Sequence, residues 1–106
     1  MATYVIDLDG TLCDTKRNEE RWLYLEATPF LERIAKVNTL YDEGHTIIIE
    51  TARGCTSGKD WHGDTLDQLR SFGLRFHQLR TGTKFGADYF IDDRGISADD
   101  FFKDCR

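Results

Sequence analysis

The sequence predicts an α/β domain built on a mostly parallel sheet, and three observations predict it. A short β-rich run, Thr3 to Ile6, opens the chain, and a continuous run of largely β-branched residues, Thr46-Ile47-Ile48-Ile49, follows later. Apolar residues at helical spacing separate the two runs: Phe30, Leu31, Ile34, Ala35, Val37, Leu40 and Tyr41. The order β-α-β-α-β-β-α then continues to the end, and strands separated by helices pair in parallel, with the helices as crossovers. A length of 106 residues leaves room for one domain, residues 1–106, with helices flanking the sheet.

The elements follow in order. Residues 10–28 are polar and irregular, interrupted by Trp22 and Tyr24. Pro29 stands where a helix begins, since its fixed φ suits the first turn, and Gly44 stops that helix. The run Thr46 to Ile49 has the unbroken apolar character of a strand buried on both faces. A loop over 51–59 carries Gly54, Ser57 and Gly58, and a second helix covers 61–72, with Leu66, Leu69 and Phe72 on one face. Arg75 to Leu79 and Asp88 to Ile91 complete the strands, and Ser97 is placed to cap a terminal helix over 98–103.

Composition narrows the partners. The chain carries a net charge of -5, with no lysine or arginine run, so the electrostatic footprint of a nucleic-acid binder is missing. Cys13, Cys55 and Cys105 are odd in number and lack metal-ligand spacing, the pattern of free thiols in a reducing cytoplasm. No apolar stretch approaches the 18 residues of a membrane span, and the N-terminus does not read as a signal peptide. The expectation is a soluble cytoplasmic protein.

In open parallel sheets ligands sit beyond the carboxyl ends of the strands. The first strand ends at Asp7 and Asp9, the second at Thr51 and Arg53, and the last at Asp92 and Asp93, with Lys84 in the preceding loop. Asp7 and Asp9 stand at i and i+2, so an extended backbone aims both carboxylates the same way. Like charges held this close need a cation or a shared proton, although Asp9-Gly10 alone is an ordinary turn pair. Carboxylates, hydroxyl and cations at one rim suit phosphoryl transfer. A carboxylate attacks phosphorus, a second moves the proton, Mg2+ takes hard oxygen ligands, and lysine and arginine offset the phosphoryl charge.

These residues resemble the haloacid dehalogenase superfamily. Asp7-Leu8-Asp9-Gly10-Thr11 is similar to its first motif, Thr51 after Ile47-Ile48-Ile49 to its second, Lys84 to its third, and Asp92-Asp93 after Tyr89-Phe90-Ile91 to its fourth. Phe85 departs from the proline that often follows the family's lysine. Thr51-Ala52-Arg53-Gly54 with Ile91-Asp92-Asp93-Arg94 is a narrower pattern, similar to small capsular-polysaccharide biosynthesis phosphatases and, more distantly, to the phosphatase half of polynucleotide kinase-phosphatases.

The resemblance implies a Rossmann-like fold and Mg2+-dependent phosphatase chemistry. It makes Asp7 the nucleophile and a metal ligand, and Asp9 the general acid/base with its carbonyl on the metal. Gly10, Thr11, Thr51 and Ala52 hold the phosphate, Arg53 contacts it, and Lys84 steadies Asp7. Asp92 and Asp93 complete the metal site, with Asp93 preferred as the direct ligand. The short segments after Thr11 and Thr51 leave no space for a cap domain, so a large substrate or a neighbouring subunit in a homo-oligomer would cover the open site. The expected substrate is a small phosphorylated metabolite such as a sugar phosphate. A nucleic-acid 3′-phosphatase, which the acidic pI argues against, and a phospho-accepting receiver-like module are the alternatives. Among other residues, Cys13 and Trp22 are expected in the core, Tyr24 and Trp61 either beside the open site or in the core, His45 in a structural position, His77 packed or partly exposed in a strand, and His62 at the surface.

Overall fold

A computed structural model describes residues 1–55, 57–84 and 86–105; Phe85, the departure noted after Lys84, lies outside the described residues. Among them the main sheet has three strands: β1 (Thr3–Asp7), β4 (Thr46–Thr51) and β5 (Gln78–Thr81), in the order β1-β4-β5. Both pairings are parallel, with Thr3 opposite Thr46, Asp7 opposite Glu50, and Thr51 opposite Thr81. Asp7 and Thr51 therefore finish their strands at the same edge. Two short strands, β2 (Cys13–Asp14) and β3 (Thr28–Pro29), pair antiparallel beside it. The helices are α1 (Leu31–Asp42), α2 (His62–Ser71) and α3 (Ala98–Phe101), and a 3-10 turn covers Tyr24–Glu26.

The core explains the arrangement. Ile6, Leu8 and Leu12 meet Ile47 and Ile49 of β4, Ile34 and Val37 of α1, Leu69 of α2 and Phe102 beyond α3, all buried. Each helix contributes an apolar stripe at i, i+3 or i, i+4 spacing, and covering that stripe is what stabilises so short a helix. Ser97 caps α3 as its sequence suggests, its Oγ accepting from the Asp100 N–H at 3.2 Å.

Four details differ from expectation. Pro29 does not start the helix; it pairs with Cys13 in β3, and α1 begins at Leu31. The segment 10–28 is not wholly irregular, since β2, β3 and the 3-10 turn fall in it. In β4, burial alternates: Ile47, Ile49 and Thr51 are buried, while Thr46, Ile48 and Glu50 on the other face are partly exposed. That is the pattern of a sheet fully covered on one face.

The fourth difference bears on the site. Asp88 to Ile91 is not a strand, and Tyr89, Phe90 and Ile91 are 83%, 61% and 95% exposed. An apolar run becomes a strand only through a partner's hydrogen bonds, and this run follows a glycine and joins no strand. Phe101 supplies aromatic cover at β1 instead, its ring 5.8 Å from that of Tyr4. Among the described residues, no helix is long and apolar enough to cross a membrane.

Candidate active site

Asp7 is the last residue of β1, and its side chain is partly exposed. The ammonium of Lys84 stands 3.1 Å from its Oδ1, and the hydroxyl of Thr11 donates to its Oδ2 at 3.4 Å. Asp7 and Thr11 open on a cavity of about 480 Å3 that runs along β1 and is also lined by Arg94 and Gly95. Lys84, expected to steady Asp7, is thus beside it, and so is Thr11, which was expected to hold the phosphate.

The chain then turns sharply. The carbonyl of Leu8 accepts from the N–H groups of Thr11 and Leu12 at 3.0 and 2.8 Å, and Gly10 takes φ +81°, a region that glycine enters without strain. Asp9-Gly10 is therefore a turn as well as part of a motif. This has a cost for the expected phosphate cradle: the N–H of Gly10 donates to the Cys13 carbonyl and that of Thr11 to Leu8, so both are already used inside the turn.

Asp9 does not share the surroundings of Asp7. Its Oδ1 takes the Arg53 Nη2 at 2.7 Å and its Oδ2 takes the Arg53 Nε at 3.0 Å, a bidentate pair. Hydroxyls of Thr15 and Thr51 donate to the same carboxylate. Arg53 is buried, although sequence placed it against substrate phosphate. Its Nη1 donates to Thr65 Oγ1 at 3.2 Å and to Gln68 Oε1 at 2.7 Å, and the Tyr24 ring lies 4.6 Å from its guanidinium carbon. Gln68 in turn donates to the Tyr24 carbonyl. Thr51 ends β4 with its hydroxyl accepting from the Arg53 N–H. Ala52 is exposed, and its carbonyl closes a turn by accepting from Cys55 N–H at 2.9 Å.

Asp92 and Asp93 are both exposed. Asp92 serves its own loop: its Oδ1 accepts from the N–H groups of Arg94 and Gly95, and these bonds hold its carboxyl below the usual range, Arg94 first. The oxygen donors expected around Mg2+ are of the right chemical type. The carboxylates are not gathered around Asp7, because Asp92 is turned to its own loop and Asp93 lies exposed. Among the described residues, no group of three or more His, Cys, Asp or Glu side chains is placed to hold a metal ion. As arranged, the residues do not fit the ion.

Sequence reasoning left Tyr24 either beside the site or in the core, and it missed Thr65 and Gln68. The last two carried a signal: they stand at i and i+3 on α2, on the face that also buries Leu69. A polar pair on the apolar face of a helix needs a buried partner. Trp22, expected in the core, is 47% exposed under the Arg17 guanidinium. His45 is structural as expected, its Nδ1 accepting from Ala2 N–H, whereas His77 is exposed just before β5 rather than within a strand, its Nδ1 accepting from Ile47 N–H. His62 is at the surface, 3.2 Å from Thr81 Oγ1. Cys13 is fully buried, and burial pushes its thiol up from 9.0 to about 11, which suits packing rather than nucleophilic work.

No family model matches the chain, and no curated protein matches it. Among solved structures it is similar to a structural-genomics target from Vibrio cholerae, whose description names no activity. The two are 26% identical over 95% of this chain and 87% of the other, with a TM-score of 0.74.

Proposed function

We propose that the chain is a phosphomonoesterase that acts on a small phosphorylated metabolite, such as a sugar phosphate, through an aspartyl-phosphate on Asp7. The observation that carries this reading is the setting of Asp7. It is an accessible carboxylate at a strand end, flanked by the Lys84 ammonium and the Thr11 hydroxyl, and it opens on a cavity. A carboxylate oxygen so placed attacks phosphorus and displaces the alcohol oxygen, giving the acyl phosphate. Lys84, and Arg94 on the cavity wall, offset charge on the transferring group. Asp9 gives a proton to the leaving oxygen and later takes one from the water that hydrolyses the intermediate. Mg2+ enters this reading through the motif resemblance alone.

The test is phosphate release from an aryl phosphate and from a panel of phosphorylated sugars, with and without Mg2+. Asp7→Asn should lower release by about a thousandfold or more. Loss of release on chelation would bring Mg2+ into the scheme. Undiminished turnover in Asp7→Asn would remove the nucleophile from the scheme. A phospho-aspartate that persists for hours in the native protein would replace the hydrolase with a receiver-like module.

A further inference from the structure

We propose that Arg53 is a positioning residue: it acts as a bracket that fixes the Asp9 carboxylate for proton transfer, and it does not bind the substrate's phosphate. This inference rests on the phosphomonoesterase reading above and assigns to Arg53 a role within it.

The guanidinium is engaged at all three of its nitrogens. Its side chain is 0% exposed, and four of its N–H bonds are taken, by both oxygens of Asp9, by Thr65 and by Gln68. The Tyr24 ring covers it, and the described residues leave no buried side-chain polar atom without a partner. A phosphate could reach this group only by displacing Asp9 or by parting α2 from the loop after β4.

The bracket has two ends. One end grips Asp9 through a planar fork, which sets the plane of the carboxylate as well as its position. The other end is anchored one turn into α2 by Thr65 and Gln68, so the fork is held by a helix rather than by a mobile loop. Gln68 also ties the Tyr24 carbonyl to the same centre at 2.7 Å. A proton carrier works only when the oxygen bearing the proton faces the leaving atom, and neighbours that lock its orientation govern that step. Lysine cannot replace this geometry, because a point charge grips one oxygen and leaves the plane free.

The two roles separate by leaving group. An alkyl phosphate, with a poor leaving oxygen, needs the proton from Asp9, whereas nitrophenyl phosphate departs without it. For Arg53→Met, kcat/KM for an alkyl phosphate should fall about a hundredfold, the worth of a general acid, while that for nitrophenyl phosphate falls less than about threefold. Competitive inhibition by inorganic phosphate should be unchanged. Arg53→Lys should restore only part of the loss.

Thr65→Val is the second variant. It keeps the shape of the side chain and touches neither Asp9 nor the cavity, so it guards against a folding failure in the first. It should lower the alkyl-to-aryl ratio of kcat/KM in the same direction by a smaller factor. Equal losses on both substrates, with or without weaker inhibition by phosphate, would overturn the bracket while leaving the phosphatase reading intact. An unmodified protein that hydrolyses neither substrate would overturn both.

Discussion

Asp9→Asn tests the buried ion pair without reference to any activity. The substitution keeps the size of the side chain and removes the charge opposite Arg53. That guanidinium is 0% exposed, whereas the Asp9 side chain is 23% exposed. Removing one partner of a buried pair costs about 3–5 kcal/mol, and the partial hydration of Asp9 places this pair at the lower end, about 3 kcal/mol. Stabilities of small domains run to about 5–15 kcal/mol, so the loss is a large fraction of the total. In melting temperature it amounts to about 12–18 °C. Arg53→Met should cost about 2–3 kcal/mol, since it leaves Thr65 and Gln68 short of a donor. The double variant should then be less damaged than the sum of the two by more than about 1 kcal/mol. Urea unfolding followed by tryptophan fluorescence is the assay. Trp61 is a suitable reporter, its ring 5.0 Å from the Tyr24 ring that covers Arg53. Additive losses, or an Asp9→Asn loss below about 1 kcal/mol, would refute the reasoning.

The remaining predictions are independent of that pair. Lys84→Met should change stability by less than about 1 kcal/mol, because its bridge to Asp7 is partly exposed, yet lower phosphate release by about a hundredfold. Ile49→Ala, at a position fully buried in β4, should cost about 2–5 kcal/mol in urea unfolding. Ser97→Ala removes the cap on Asp100 N–H and should cost about 1 kcal/mol. Burial raises the Cys13 thiol to about 11, so the folded state favours the neutral form. That contribution is complete below pH 9.0 and is lost as pH rises from there towards about 11, which urea midpoints across the range would record. In the folded protein Cys13 should resist alkylation at pH 8, and it should react once the chain is unfolded.

The parts of the fold that were legible in the sequence are those set by local periodicity. β1, β4, α1 and α2 announce themselves through β-branched runs or helical stripes, and their bounds differ from expectation by a few residues. Asp88 to Ile91 has the composition of a strand, but a strand is a property of two segments, and nothing in its own residues reports whether a partner meets it. The site divides in the same way. Asp7, Thr11 and Lys84 were recognisable because they stand in the order of the motifs they resemble. The burial of Arg53 was not, since a charged residue in a glycine-containing loop reads as exposed. Only the joint presence of a nearby carboxylate and of Thr65 and Gln68 on the inner face of α2 makes its burial affordable.

Asp7 and Asp9 stand two positions apart, yet each has its own cation and the two cations differ in kind. Asp7 meets a lysine at 3.1 Å, with the side chains 39% and 23% exposed, whereas Asp9 meets an arginine at 2.7 Å that is wholly buried. The turn at Gly10 produces the difference, since it takes the chain off the strand line and carries Asp9 under the loop that follows β4. A partly exposed lysine bridge costs little to break, so in the proposed reaction Lys84 would shift its charge from the carboxylate to the arriving phosphoryl group. A buried arginine fork cannot follow a moving charge, but it holds a carboxylate plane still. An attacking oxygen must be free to approach phosphorus, and a proton carrier must be aligned before the bond breaks. In the proposed reaction the exposed pair would meet the first requirement and the buried pair the second. The short spacing of the motif thus brings the two carboxylates to one strand end, and the turn between them gives each the surroundings that its step in the proposed reaction would require.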